Sequence, residues 1–201
     1  EYNDYGQTAK ESFKFNNAST ASLEYTYTYK DDSTRALTSM NAGSFAESYK
    51  TDNLGRSKEV LQTLGGKTYG RRYGYYKNGD HATNRVNAIS YTRDGQTDGK
   101  VMYTYDSMGN IISVNVNGKQ VEKFSYDKLG RIIFEENIDK NRKICYTYDE
   151  NGNILTRTED GKTIEYRYEA ESDRLLSFGN ESFAYDAMGN PTTYRGMACT
   201  W

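Results

Sequence analysis

The sequence predicts an all-β protein: an antiparallel sheet of stacked β-hairpins. Three observations carry this. A short unit, Tyr-Asp-x-x-Gly followed by Asn or Arg and an aliphatic pair, recurs at a spacing of about 20 residues. Each copy is preceded by alternating Tyr, Ile, Val and Thr. Asn-Gly or Asp-Gly pairs fall between several of the copies.

The copies are explicit. Tyr105-Asp106-Ser107-Met108-Gly109-Asn110 leads into Ile111-Ile112, and Tyr126-Asp127-Lys128-Leu129-Gly130-Arg131 into Ile132-Ile133. Tyr148-Asp149-Glu150-Asn151-Gly152-Asn153 leads into Ile154-Leu155. Tyr185-Asp186-Ala187-Met188-Gly189-Asn190 is followed by Pro191. A worn copy joins Tyr166 and Tyr168 to Asp173-Arg174-Leu175-Leu176 and has no glycine. Upstream, Tyr49 to Arg56 reads as a copy with two residues inserted. The starting tyrosines 105, 126, 148, 168 and 185 step by 21, 22, 20 and 17, which marks a repeat array.

Each part of the unit has a physical task. Period-two alternation, as in Val101-x-Tyr103-x-Tyr105, makes a half-buried strand. The aspartates Asp106, Asp127, Asp149 and Asp186 open a type I turn, where the carboxylate accepts the turn's own amides. Gly109, Gly130, Gly152 and Gly189 fall where the chain needs positive φ. The result is a three-residue hairpin loop with a bulge. Asn117-Gly118 and Asp160-Gly161 turn the chain back, and Asn137 to Lys143 is a longer version. A lone hairpin is marginal in water, so the hairpins must stack, with Tyr105, Tyr126, Tyr148, Tyr168 and Tyr185 forming columns.

Residues 1–100 read as degenerate hairpin repeats and 101–201 as regular ones, in one continuous sheet rather than independent domains. Leu23 to Tyr29 is an alternating strand turned by Asp31-Asp32-Ser33. Tyr69 to Lys77 and Arg85 to Arg93 form a hairpin around Asn78-Gly79-Asp80. Asp94-Gly95 and Asp98-Gly99 continue the meander, and Ser57 to Leu64 fits either a strand or a brief helix.

Composition narrows the classes. Hydrophobic content is 35% and Tyr supplies 20 residues, and the mean hydropathy is −0.94. That is thin for a sandwich core and calls for a sheet with a wet face, served by tyrosine's apolar ring and polar tip. Net charge is −2 with signs interspersed, so nothing points to nucleic acid. No apolar run approaches the roughly 18 residues of a membrane span. Cys145 and Cys199 are far apart and read as free thiols, with Cys145 at a strand position that other repeats fill with bulky side chains. The chain opens at Glu1 without Met or a signal peptide, as a fragment or a processed product does.

The Tyr-Asp-x-x-Gly-Asn/Arg unit at this period resembles the YD repeat of the Rhs family, which includes bacterial polymorphic toxins, wall-associated proteins and, more distantly, the animal teneurins. The resemblance covers residues 101–195 and extends through Tyr49–Arg56; Tyr185 to Gly196, followed by Thr200-Trp201, is similar to the segment just before the Rhs-associated core. It implies a sheet curved as a segment of a spiralling hollow shell. It also implies an enclosed C-terminal toxin domain as partner, and a secreted or cell-surface location.

No catalytic constellation, metal set or cofactor is expected. His81 sits alone in a loop, and Asp149-x-Asn151-Gly152-Asn153 lacks the late Glu of a calcium loop. Neighbours Glu135-Glu136 and Asp31-Asp32 point to opposite faces on strands. Asn17-x-Ser19 and Asn180-x-Ser182 match glycosylation sequons. Arg71, Arg72, Tyr73, Tyr75 and Tyr76 combine cations and rings, either as a cross-strand cation–π cluster or as a platform for glycans or bases. Two functions follow: a structural wall segment of an encapsulating shell, or a surface glycan-binding module. Strands cut at both chain ends would leave open edges and favour edge-to-edge self-association.

Overall fold

The structure, a computed structural model, describes residues 1–14, 23–194 and 196–200. Asn17, Ser19 and Trp201, named above, lie outside the described residues. The described residues form strands and no helix. In order these are β1 (Lys10–Phe13), β2 (Leu23–Tyr29), β3 (Leu37–Ala42), β4 (Phe45–Thr51), β5 (Ser57–Leu64) and β6 (Lys67–Asn78). Next come β7 (His81–Arg93), β8 (Gln96–Tyr105), β9 (Ile111–Val116), β10 (Lys119–Tyr126), β11 (Ile132–Asn137) and β12 (Arg142–Tyr148). The last are β13 (Ile154–Glu159), β14 (Lys162–Tyr168), β15 (Leu175–Phe178), β16 (Glu181–Ser182), β17 (Thr193–Tyr194) and β18 (Met197–Ala198). A 16-stranded sheet joins β1 to β16 in chain order, and β17 pairs with β18. The chain divides into two compact units, Glu1–Tyr103 with Asn115–Lys119, and Thr104–Val114 with Gln120–Trp201.

Turn chemistry sorts by strand end. One set of connections is two-residue loops. Gly65-Gly66, Asp94-Gly95, Asn117-Gly118 and Asp160-Gly161 have positive φ at both residues, the type I′ form. Gly43, Gly79 and Gly179 have positive φ ahead of a residue that does not, the type II′ form. The other set is the Tyr-Asp turns. In these, Gly109, Gly130, Gly152 and Gly189 have φ of 95, 78, 97 and 86°.

In the first unit β5 is wholly strand, so the helical option for Ser57–Leu64 is excluded. Asp98 and Gly99 lie inside β8 rather than in a turn, because the reversal is completed at Asp94-Gly95. The outer side of β1 is also partly closed. Glu1 accepts the Lys10 N–H at 3.2 Å and donates its amino group to the Lys10 carbonyl at 2.7 Å, so this edge is not the bare one expected. In the second unit, tyrosines alternate with polar residues. Tyr126, Tyr148 and Tyr168 are half-buried, while Ser125, Thr147 and Arg167 are exposed. Cys145 is exposed on the polar side, beside Phe134 and Thr158, and fills no core position.

A bulge recurs at one place in the repeat. On β11, β13 and β15 the register shifts so that the second aliphatic of each pair is the extra residue: Ile133, Leu155 and Leu176. They are 38–40% exposed. The pair therefore does not place one buried side chain on each face. Its first member continues the ladder and its second is spent on the bulge.

Among the described residues only Val60 and Ile144 are buried apolar side chains. Full burial of one such side chain contributes about 1.5–3 kcal/mol, against about 1–2 kcal/mol of backbone entropy for each ordered residue. Ladder bonds, half-buried rings and turn locks must supply the remainder. Gly152→Val, at φ 97°, should therefore lower stability by more than about 1 kcal/mol, because a β-branched residue there is a steric outlier. Lys128→Val in a neighbouring loop should change little; equal shifts of the denaturant midpoint for both would overturn this.

Candidate functional site: the turn edge

Each Tyr-Asp turn is closed by its aspartate. In the second copy the Gly130 N–H donates to the Asp127 carbonyl at 3.1 Å and the Asp127 N–H to the Arg131 carbonyl at 3.0 Å. One carboxylate oxygen, Oδ1, accepts the N–H groups of Leu129 and Arg131, both at 2.9 Å. The other, Oδ2, takes the Arg131 Nε at 2.6 Å. Asp106, Asp149 and Asp186 accept from Asn110, Asn153 and Asn190 in the same way, from backbone and side chain. In these copies the residue after glycine, Asn or Arg, reaches back to its own aspartate.

Three further turns use this geometry with altered residues. Asp52 holds Leu54, Arg56 and the Arg56 guanidinium at the standard spacing. Thr51, not Tyr49, thus occupies the tyrosine seat, and the copy has no insertion. Asn3 accepts the N–H groups of Tyr5 and Gln7 on its Oδ1 and donates Nδ2 to the Gln7 side chain. That copy was missed in the sequence because Thr8-Ala9 replaces the aliphatic pair; its surviving signal is Gly6, φ 75°. In the worn copy Glu169 stands in for aspartate and holds Arg174 at 2.8 Å, and Asp173 adopts φ 54° in place of glycine.

The tyrosine serves the preceding turn rather than its own. The Tyr148 hydroxyl donates to the Ile132 carbonyl at 2.6 Å, Tyr126 to Ile111 at 2.7 Å, and Tyr185 to Leu175 at 2.9 Å. The reason lies in the register. The β11–β12 ladder begins at Phe134, so Ile132 lies beyond it and its carbonyl needs a donor. The half-buried tyrosine thus caps the end of the ladder with its hydroxyl. In the first unit Tyr75 does this for Ser57 at 2.7 Å and Tyr29 for Thr8 at 2.8 Å. Tyr75 is therefore a repeat tyrosine. It pairs with Val86 as Tyr126 pairs with Ile132, with a hairpin between them instead of a short loop.

Turns also grip their neighbours. Arg131 donates Nη1 to the Asp149 carbonyl at 2.8 Å, with its guanidinium 4.6 Å from the Tyr148 ring centre. Arg56 donates to the Thr83 carbonyl and lies 4.1 Å from the Tyr75 ring. Asn153 Nδ2 donates to Asp173 at 2.8 Å. Arg174 lies 5.3 Å from the Tyr185 ring.

The residues named for a glycan platform do not share a surface. On β6, Arg71, Tyr73 and Tyr75 lie on one face and Arg72 and Tyr76 on the other, with Arg72 bound to Glu59 at 2.6 Å. His81 pairs with Asn78 at the exposed hairpin tip.

Electrostatics follow from these contacts. The Asn153 side chain holds Asp149 below its ordinary value, the Arg131 backbone N–H does so for Asp127, and the Arg56 guanidinium for Asp52. Burial raises Tyr126, Tyr148 and Tyr168 above the ordinary tyrosine value.

A wall-forming repeat protein is the class this geometry defines: hairpins locked at their turns, each turn holding the next. The chain belongs to the teneurin YD-shell family, a structural shell domain whose model matches residues 80–193, 114 of the 201 residues. Similar solved structures include a Tc holotoxin pore of Photorhabdus luminescens, 16% identical with TM-score 0.44, matching 84% of this chain and 12% of that one. A TcdB2–TccC3 structure without its hypervariable C-terminal region is 16% identical with TM-score 0.48, matching 95% and 14%. A porin-like protein from Bacteroides uniformis is 11% identical with TM-score 0.41, matching 88% and 86%. The chain spans 12–14% of the length of the two toxin chains. None of the curated proteins matches.

Two predictions follow from the turn edge. The lowered aspartates favour the ionised fold, so their contribution is complete above the unfolded Asp value of about 3.9 and is lost as pH falls through the lower folded values. The melting temperature should be steady from pH 7 to about 4 and drop below it. Asp127→Asn, mimicking Asn3, should cost less than Asp127→Ala and should blunt the acid drop; a drop of unchanged size would overturn the assignment. Tyr148→Phe keeps the ring but orphans the Ile132 carbonyl, and should cost about 1 kcal/mol in a denaturant titration. No change would show that water replaces the bond.

Proposed function

We propose that the chain is a segment of the wall of a YD-repeat shell that houses a C-terminal toxin or effector domain, in a bacterial protein exported to the cell surface or beyond. The observation that carries this reading is the turn-to-turn linkage, seen at Arg131–Asp149, Tyr148–Ile132 and Asn153–Asp173, within a sheet that has almost no buried core. Such a sheet spends its side chains on continuing itself, as a wall does, and family membership supports the same role. Its partners in this reading are neighbouring wall segments and the enclosed domain. Limited proteolysis of the full-length gene product tests it. The C-terminal domain should survive protease that degrades it once freed from the wall, and equal cleavage rates in the two settings would defeat the reading.

A glycan-binding surface module is the second reading, now resting on Arg71, Tyr73 and Tyr75, which share a face. It makes no use of the turn linkages, and a positive glycan array lost on Tyr73→Ala would favour it.

A further inference from the structure

The chain's net charge of −2 conceals a segregation. Residues 56–93 hold eight Lys and Arg against Glu59 and Asp80, net +6, and a surplus of +4 remains once Arg56 and Arg93 are paired with Asp52 and Asp98 just outside the span. This span is β5, β6 and β7 with the turns that open and join them.

Strand β6 concentrates the effect. Lys67, Tyr69, Arg71, Tyr73, Tyr75 and Lys77 occupy successive alternate positions, so six neighbours on one face are all cations or rings, about 6.7 Å apart. The opposite face carries Thr68, Gly70, Arg72, Gly74 and Tyr76 instead. A Cβ at Gly70 would meet Thr92 Oγ1 at 2.3 Å and Leu61 Cδ2 at 2.7 Å, and Arg72 is paired with Glu59. The cations of the strip are unspent: Lys67, Arg71 and Lys77 have no acidic partner among the described residues.

Flanking strands widen the strip. Register places Tyr91 beside Arg71, and Tyr69 and Tyr91 are 43% and 41% exposed. A shallow depression of 340 Å³ is lined by Val60, Tyr69, Arg71 and Tyr91. A second, of 230 Å³, is lined by Lys58, Tyr73, Tyr75 and Lys77. Two nearby carboxylates are already paired, Asp98 with Arg93 at 2.9 Å and Asp52 with Arg56 at 2.5 Å, while Glu47, across β5 on this face, accepts from the Gln62 side chain at 3.2 Å.

We propose that this strip binds single-stranded nucleic acid without sequence selection. An open cationic track with interleaved rings pairs phosphates with Lys and Arg and stacks bases on Tyr. An acidic peptide would use the cations and leave the rings idle, and a neutral glycan would do the reverse. The proposal is independent of the wall reading, and each can fail alone.

The test is fluorescence anisotropy of a labelled oligothymidylate titrated with the 201-residue chain over a salt series. Affinity should fall with salt, with a log–log slope of about −0.7 for each phosphate engaged. Lys67→Ala, Arg71→Ala and Lys77→Ala should each flatten that slope by about one contact. Tyr69→Ala and Tyr91→Ala should weaken binding about tenfold and leave the slope unchanged. Lys128→Ala, in the second unit, should bind as the parent does. All five strip variants alter exposed side chains, and thermal melts matching the parent would confirm their fold. The proposal is overturned by no binding at low salt, by intact affinity in the tyrosine variants, or by equal displacement with a sulfated polysaccharide of matched charge.

Discussion

A sheet with two buried apolar residues among those described cannot be held by a core, and this constraint shapes everything else in the molecule. Antiparallel ladders satisfy the backbone along each strand but leave strand ends untied. The repeat concentrates its recurring chemistry at those ends. The aspartate ties the loop to itself, the next residue ties the aspartate down, and the following tyrosine ties the loop to the next hairpin. Each tie is a modest hydrogen bond, worth about 0.5–1.5 kcal/mol. Their strength lies in repetition and in sharing partners, since Arg131 serves its own turn, the next turn and the intervening ring at once.

The degenerate turns show which parts of this chemistry are essential. Asn3 keeps both backbone acceptor contacts with an amide oxygen, so the charge is dispensable where Gln replaces Arg. Glu169 reaches Arg174 across a longer loop, and Asp173 tolerates the left-handed position that glycine otherwise holds. Thr51 shows that the tyrosine seat can be emptied. The shared requirement is an acceptor at the head of the turn that can reach amides or a cation at its foot.

Much of the fold was legible because local chemistry decides it. Gly-containing pairs set two-residue turns, and alternation at Tyr146-x-Tyr148 sets which side chains are half-buried. The errors have local causes as well. Asp98-Gly99 carries a turn signal, but Asp94-Gly95 had already reversed the chain. Tyr49–Arg56 reads as an insertion when its tyrosine is the anchor, whereas the aspartate sets the geometry. The hydroxyl bond from Tyr148 to Ile132 was not legible, since it depends on where the neighbouring ladder stops. The basic strip on β6 is only half legible: adjacency in sequence joins Arg71 with Arg72, and the pleat separates them.

The hairpin between Tyr75 and Val86 has a practical meaning. Ten residues stand there where the Tyr126–Ile132 turn has five, yet Tyr75 still pairs with Val86, still holds the Ser57 carbonyl, and still meets the Arg56 guanidinium. The chain departs from the sheet and returns to it across a gap of about 5 Å, with the register shifted at Gly74/Tyr75 as it is at Ser125/Tyr126 of the short turn. The repeat edge is thus a natural splice port. A guest peptide whose ends lie that close could replace residues 78–82, and the surrounding wall would have no means of sensing the exchange.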